Sequence, residues 1–168
     1  CRTALSLPEL RRLRLGSLES VELSNDLLEL IRTEPRFAAH LHLPLQAGSD
    51  GVLTAMNRHY DTAAFARLIE DVRRAVPGVA VSTDIIVGFP GETETQFEES
   101  LDFVRRMGFA RMHVFPYSAR RGTPAARRPD QVPAPIRKER AARMQALAEE
   151  LAVGYHRAAL GTVTDVLF

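Results

Sequence analysis

The sequence predicts an α/β fold with parallel strands alternating with helices, and three observations predict it. Four short runs of aliphatic and β-branched residues alternate with stretches whose apolar residues recur at helical spacing. Each run ends in a cluster of glycine, small or polar residues. The most complete unit, Val79 to Glu92 (VAVSTDIIVGFPGE), passes through a glycine-proline loop into a helix start, the unit from which ligand-binding α/β folds are assembled.

Leu13 to Leu18 (LRLGSL) reads as a short strand with Glu19 at its end, and Ser24 caps a helix to about Glu34 that Pro35 stops. A second strand, about Ala39 to Leu43, ends in PLQAGSD; a short helix follows from Asp50 to Met56. Asp61 or Thr62 caps a longer helix in which Phe65, Leu68, Ile69, Val72 and Val76 form one apolar stripe. Asp84 stands out in the third strand. A carboxylate between Thr83 and Ile85 must be paired, hydrogen-bonded or aimed into a cavity. After GFPGE, Thr93 and Gln96 have capping-box spacing and Phe97, Leu101 and Val104 recur at i, i+4, i+7. A fourth strand, Arg111 to Phe115, runs into a basic segment rich in proline and alanine. Ile136 to Ala159 then reads as a helix with Met144, Leu147, Leu151 and Tyr155 on one side.

The 168 residues, 45% of them apolar, suffice for one core. The net charge is +1, but Arg105 to Arg143 hold eleven Arg or Lys against two acids, a net of +9, which leaves −8 for the rest. That asymmetry points to a polyanion at one region. The single cysteine, Cys1, excludes a disulfide framework or a self-contained cluster site within the chain. No membrane span or signal-peptide pattern is present, which fits a cytoplasmic protein.

In a parallel sheet the ligand sits at the strands' carboxyl ends. This places Glu19, Gln46 to Asp50, Gly88 to Glu92 and Tyr117 to Thr123 on one rim. His40 and His42 share a strand face as two metal ligands would, but no third ligand is near in sequence and no metal is assigned. His113 reads as a packed or hydrogen-bonded strand residue.

LHLPLQAGSDGVLTAMNRHY, STDIIVGFPGETETQFEESL and HVFPYSARRGTPAA resemble the later strands of radical S-adenosylmethionine (SAM) methylthiotransferases, from about Leu13 to the C-terminus. HVFPYS, the arginine two residues later, GTPAA and DQV are most similar to the branch acting on N6-threonylcarbamoyladenosine of tRNA. The isopentenyladenosine and ribosomal-protein branches are the nearest relatives. The resemblance implies the second half of a partial (β/α)6, TIM-like barrel over residues 1–160. It further implies that 161–168 open a TRAM-like RNA-binding β-barrel. Its cofactors would be SAM and [4Fe-4S] clusters, the cluster cysteines (CxxxCxxC) lying outside this chain, so that the chain alone is expected to be inactive.

The fifth-strand motif of that family matches DIIVGFPGE, which puts Ile86, Gly88, Phe89 and Glu92 at the cofactor's adenosine, with Asp84 where many relatives have glycine. Glu19, Gln46 and Ser49 become contacts to its methionine or ribose, Arg58 a carboxylate partner, and Tyr117 and Ser118 a border to adenine or substrate. Arg120, Arg121, Arg127 and Arg128 become the contacts to a tRNA anticodon loop. Unpaired strand edges of half a barrel are expected to favour self-association. The competing expectations are a non-catalytic RNA- or nucleoside-binding module and an ordinary TIM-barrel hydrolase or aldolase; for the latter, the rim shows no convincing catalytic Lys or His.

Overall fold

The computed structural model describes residues 1–18 and 23–163. Its centre is a three-stranded parallel sheet in the order β1 (His40–His42), β2 (Ala80–Val87), β3 (Arg111–Pro116). The register places His42 beside Ser82, and Asp84 beside His113. The helices are α1 (Arg2–Leu5), α2 (Asn25–Thr33), α3 (Asp50–Ala55), α4 (Thr62–Ala75), α5 (Glu94–Met107) and α6 (Ala134–Ala158).

Alternation along β2 divides the sheet into two faces. Val81, Thr83, Ile85 and Val87 are buried, and with Leu41 and Leu43 they meet Phe65, Ile69, Phe97, Val104 and Met144 of the helices in one core. Thr83, the polar residue of this β2 face, is satisfied, because its Oγ1 donates to Leu43 O at 2.7 Å and accepts from Leu45 N at 2.9 Å. The even-numbered residues Ser82, Asp84 and Ile86 point to the opposite, concave face.

The local signals expected at the helix starts are present. Ser24 accepts from Leu27 N, Asp61 from Ala64 N, and Thr93 with Gln96 forms a complete capping box, each satisfying amides that have no partner within the helix.

Two expectations need correction. Leu13 to Leu18 is not a regular strand: it touches the sheet through two parallel bridges, Leu13 to Phe37 and Ser17 to His42. The partner side gains one residue between those bridges, and the His40 N–H turns back onto Ala38 O at 2.7 Å, so a bulge interrupts the ladder. In α6, Met144 and Leu147 are buried, whereas Tyr155 is 41% exposed and Val153 47%, so the last turns run clear of the sheet.

α5 and α6 are clasped by charge. Arg140, with its side chain 5% exposed, pairs with the buried Glu92 at 3.1 Å and with Glu94 at 3.0 Å, while Arg143 reaches Glu94 and Glu98. Both guanidinium groups lie over the Phe97 ring, at 5.4 and 4.9 Å. Arg140 and Arg143, two of the eleven cations counted between Arg105 and Arg143, are therefore answered within the fold.

Candidate functional site

The concave face carries a groove with two connected parts that share Asp84 and Phe115. The upper part, at the strands' carboxyl ends, is a cavity of about 490 Å³ lined by Gln46, Asp84, Ile86, Phe115, Tyr117, Ser118 and Arg120 among others. That volume suits a cofactor-sized molecule. One feature suggests a ligand there. The Tyr117 hydroxyl is not it, being enclosed, with no hydrogen-bond partner among the described residues. Gln46 holds a left-handed backbone at φ 73°, fixed by Gln46 N to Asp84 O and Ile86 N to Gln46 O, both 2.9 Å. Such strain in a residue with a side chain is characteristic of binding sites.

The lower part of the groove is a cavity of about 530 Å³ lined by residues including Arg14, Ser17, His42, Ser82, Asp84, Arg111, His113 and Phe115. A hydrogen-bond chain crosses its floor. Arg14 Nε donates to His40 Nδ1 at 3.1 Å, Arg14 Nη2 lies 3.2 Å from His40 Nε2, and His40 Nε2 lies 3.0 Å from Ser82 Oγ. Ser82 Oγ lies 2.9 Å from His42 Nδ1, His42 Nε2 lies 3.2 Å from Asp84 Oδ2, and His113 Nδ1 lies 3.0 Å from Asp84 Oδ1. Burial, reinforced by the Arg14 and His42 charges, holds His40 below the usual histidine range, consistent with its acceptor role towards Arg14.

His42, Asp84 and His113 place their ligand-type atoms within 4.8 Å of one another. Two histidines and a carboxylate are a recognised metal-binding set. Here both imidazoles engage the Asp84 carboxylate directly, His42 through Nε2 and His113 through Nδ1.

Asp84 thus meets both sequence expectations, being paired and facing a cavity, and its partners are histidines of the flanking strands. Gln46, Asp84, Ile86, Tyr117 and Ser118 come together around the upper cavity, with Arg120 at its edge. Other expected contacts lie elsewhere. Glu92 is 6% exposed; its carboxylate accepts from Gly88 N–H and pairs with Arg140, and burial raises its pKa despite both partners. Gly88 has φ 72°, and a Cβ there would stand 2.4 Å from Arg137 Cγ, so its lack of a side chain answers α6 packing rather than ligand approach. Phe89 is buried edge-on behind Tyr117, with ring centroids 5.4 Å apart. Ser49 is buried and donates to Glu99 at 2.6 Å. Arg58 is half-buried and lines neither part of the groove; its Nε finds no partner among the described residues. Glu19 lies outside the described residues.

Of the loop arginines, Arg121 and Arg127 are exposed, whereas Arg128 is held by Asp130 at 2.6 Å beside Gly91. The His113–Asp84–His42 triangle was not read from the sequence as a site. The one signal for it was Asp84's isolation in an apolar strand.

A parallel sheet with helices on one face and a groove opening at its strands' carboxyl ends defines half of a barrel-type cofactor-binding fold. The chain belongs to the radical SAM superfamily, whose family model matches residues 12–104. SAM and a [4Fe-4S] cluster are the cofactors of that superfamily. Among curated relatives, a tRNA-2-methylthio-N(6)-dimethylallyladenosine synthase of Nocardia farcinica is 46% identical over 94% of this chain and 31% of its own length. A threonylcarbamoyladenosine tRNA methylthiotransferase of Bacillus subtilis is 43% identical over 86% of this chain and 32% of its own length. The chain thus spans about a third of the relatives it matches. Coproporphyrinogen III oxidase of Escherichia coli, a radical SAM enzyme, shares the fold with a TM-score of 0.65 at 22% identity, over 83% of this chain and 32% of that one. A radical SAM methyltransferase of Kitasatospora setae, solved with cobalamin and a [4Fe-4S] cluster bound, shares it with a TM-score of 0.53 at 16% identity, over 68% of this chain and 23% of that one. Among the described residues, no helix is long and apolar enough to cross a membrane.

Proposed function

We propose that this chain forms the carboxyl-terminal half of the catalytic barrel of a tRNA methylthiotransferase, which installs a methylthio group on carbon 2 of an N6-modified adenine beside the anticodon. The observation that carries the reading is the 43–46% identity, over 86–94% of the chain, to tRNA methylthiotransferases of two substrate branches. Of the two, the threonylcarbamoyladenosine branch is proposed, supported by the HVFPYS and GTPAA stretch and by the polar character of the concave groove.

The upper cavity is the part of this chain that fits SAM. Ile86, Phe115 and the Tyr117 ring supply apolar wall, the Gln46 side-chain amide supplies hydrogen bonds, and Asp84 supplies an acceptor. When bound, the cofactor and its cluster supply the radical that activates an unreactive carbon. The protein's share is to position the reactants and exclude water. Arg120, Arg121 and Arg127 meet the anticodon loop at the rim, their planar groups suited to phosphates and unpaired bases. The test is the purified full-length protein with its clusters, given SAM, a reductant, a sulfur source and an anticodon stem-loop carrying N6-threonylcarbamoyladenosine. Appearance of the 2-methylthio nucleoside is expected; its absence with every N6-modified stem-loop would remove the reading.

A further inference from the structure

The lower half of the groove is unused by the cofactor reading, and its chemistry differs from that of the upper half. Arg14 and Arg111 both line it, against the single carboxylate of Asp84. Arg111 makes no ion pair or side-chain hydrogen bond among the described residues. His113 is held by Asp84 through Nδ1 at 3.0 Å and is 44% exposed, which leaves Nε2 open to the groove. Phe115, two residues further along the same face of β3, is 49% exposed and is shared with the upper cavity.

The two branches of substrate differ where this cavity would distinguish them. A threonylcarbamoyl group carries a carboxylate and a hydroxyl; a dimethylallyl group carries neither. An apolar group placed here would desolvate the Arg111 guanidinium and the His113 Nε2 without giving either a partner, which disfavours it.

We propose that the lower cavity is the subsite for the N6-substituent of the target adenine and selects a polar, carboxylate-bearing one. His113, oriented by Asp84, makes the directional hydrogen bond, and Arg14 and Arg111 supply the positive charge. This rests on the methylthiotransferase reading and adds to it the residues that read the substrate. Asp84 acts here as a positioning residue, since its carboxylate fixes the His113 ring and turns Nε2 towards the substituent. Arg14 is partly committed to His40, so Arg111 is the freer partner for a bidentate carboxylate contact.

The experiment is equilibrium binding and turnover of paired anticodon stem-loops, one with the threonylcarbamoyl and one with the dimethylallyl group, by the full-length protein and its His113→Phe, His113→Gln and Arg111→Ala variants. Wild type is expected to bind and convert the threonylcarbamoyl stem-loop in preference to the other. His113→Phe and Arg111→Ala are each expected to lower that preference by about tenfold or more, as loss of a charge-assisted contact does. His113→Gln, which restores a hydrogen-bonding group, should recover part of it. Thermal unfolding of each variant separates a local effect from misfolding. A preference unchanged in both His113→Phe and Arg111→Ala, in protein that unfolds as wild type does, overturns the subsite while leaving the methylthiotransferase reading intact. Wild-type preference for the dimethylallyl stem-loop does the same. Failure to methylthiolate either stem-loop overturns both.

Discussion

Replacing Arg140 by Met tests how the loop after β2 is held. Glu92 and Arg140 are both almost fully enclosed, with side chains 1% and 5% exposed, and lie 3.1 Å apart; Glu92 also accepts the Gly88 N–H. Removing one partner of a buried pair strands the other, which costs about 3–5 kcal/mol, because desolvation of the remaining ion is no longer offset. Lost contacts to Glu94 and to the Phe97 ring add little, since Glu94 is exposed and surface pairs are weak. For a chain of this size the deficit corresponds to a Tm lower by about 6–20 °C. The pH dependence identifies the cause. Burial already places the folded pKa of Glu92 above its unfolded value, and loss of Arg140 moves it higher. The folded variant therefore binds a proton that the unfolded chain does not, above the unfolded carboxylate pKa of about 4.5. The variant's deficit should shrink as pH falls from 8 and stop shrinking once Glu92 is protonated in the folded wild type as well. Urea denaturation across that range measures it, with Arg140→Met/Glu92→Gln as the companion. A deficit under about 1 kcal/mol, or a double variant no more stable than the single one at pH 8, would refute the argument.

Three further outcomes are expected. Gln46→Gly relieves the left-handed backbone but loses a side chain of the upper cavity. Its stability should stay within about 1 kcal/mol of wild type, while SAM binding by the full-length protein weakens; a large loss of stability would contradict the strain argument. The lowered pKa of His40 means that the unfolded chain takes up a proton first. This contribution to stability rises with pH through the window below about 6.5 and levels off above it. The wild-type minus His40→Gln difference in urea stability should therefore increase between pH 5 and 7, and a decrease would be contrary. Neutralising Arg120, Arg121 and Arg127 together should reduce the log-log salt slope of tRNA binding by about two, if each meets a phosphate of single-stranded loop; an unchanged slope removes the loop from the interface.

The parts of this fold that were open to sequence reasoning are those fixed locally. Ser24, Asp61 and Thr93 cap helices through atoms three residues away, and β2 declares itself by a long β-branched run between Gly78 and Gly88. The first strand failed because its pairing depends on a bulge near Ala39, which nothing in LRLGSL encodes. Charge pairing was hidden in the same way: Arg140 and Arg143, two of the eleven cations read between Arg105 and Arg143, meet Glu92, Glu94 and Glu98 once α5 and α6 pack together. At the site, Asp84 was conspicuous as a carboxylate among apolar neighbours. His113, 29 residues away, becomes its partner only through the parallel register of β2 and β3. Glycine 88 and Glu92 illustrate the converse, for residues that match a ligand-binding motif can be held there by packing against another helix.

The most direct measurement is mass spectrometry of tRNA nucleosides from a strain lacking the gene that encodes this chain, beside the same strain carrying a restored copy. The account predicts that 2-methylthio-N6-threonylcarbamoyladenosine disappears, its N6-threonylcarbamoyladenosine precursor accumulates, and the restored copy reverses both. Persistence of the methylthio nucleoside while the methylthio-dimethylallyl form vanishes would contradict the substrate assignment. No change in either, in a strain with no second methylthiotransferase gene, would contradict the function itself.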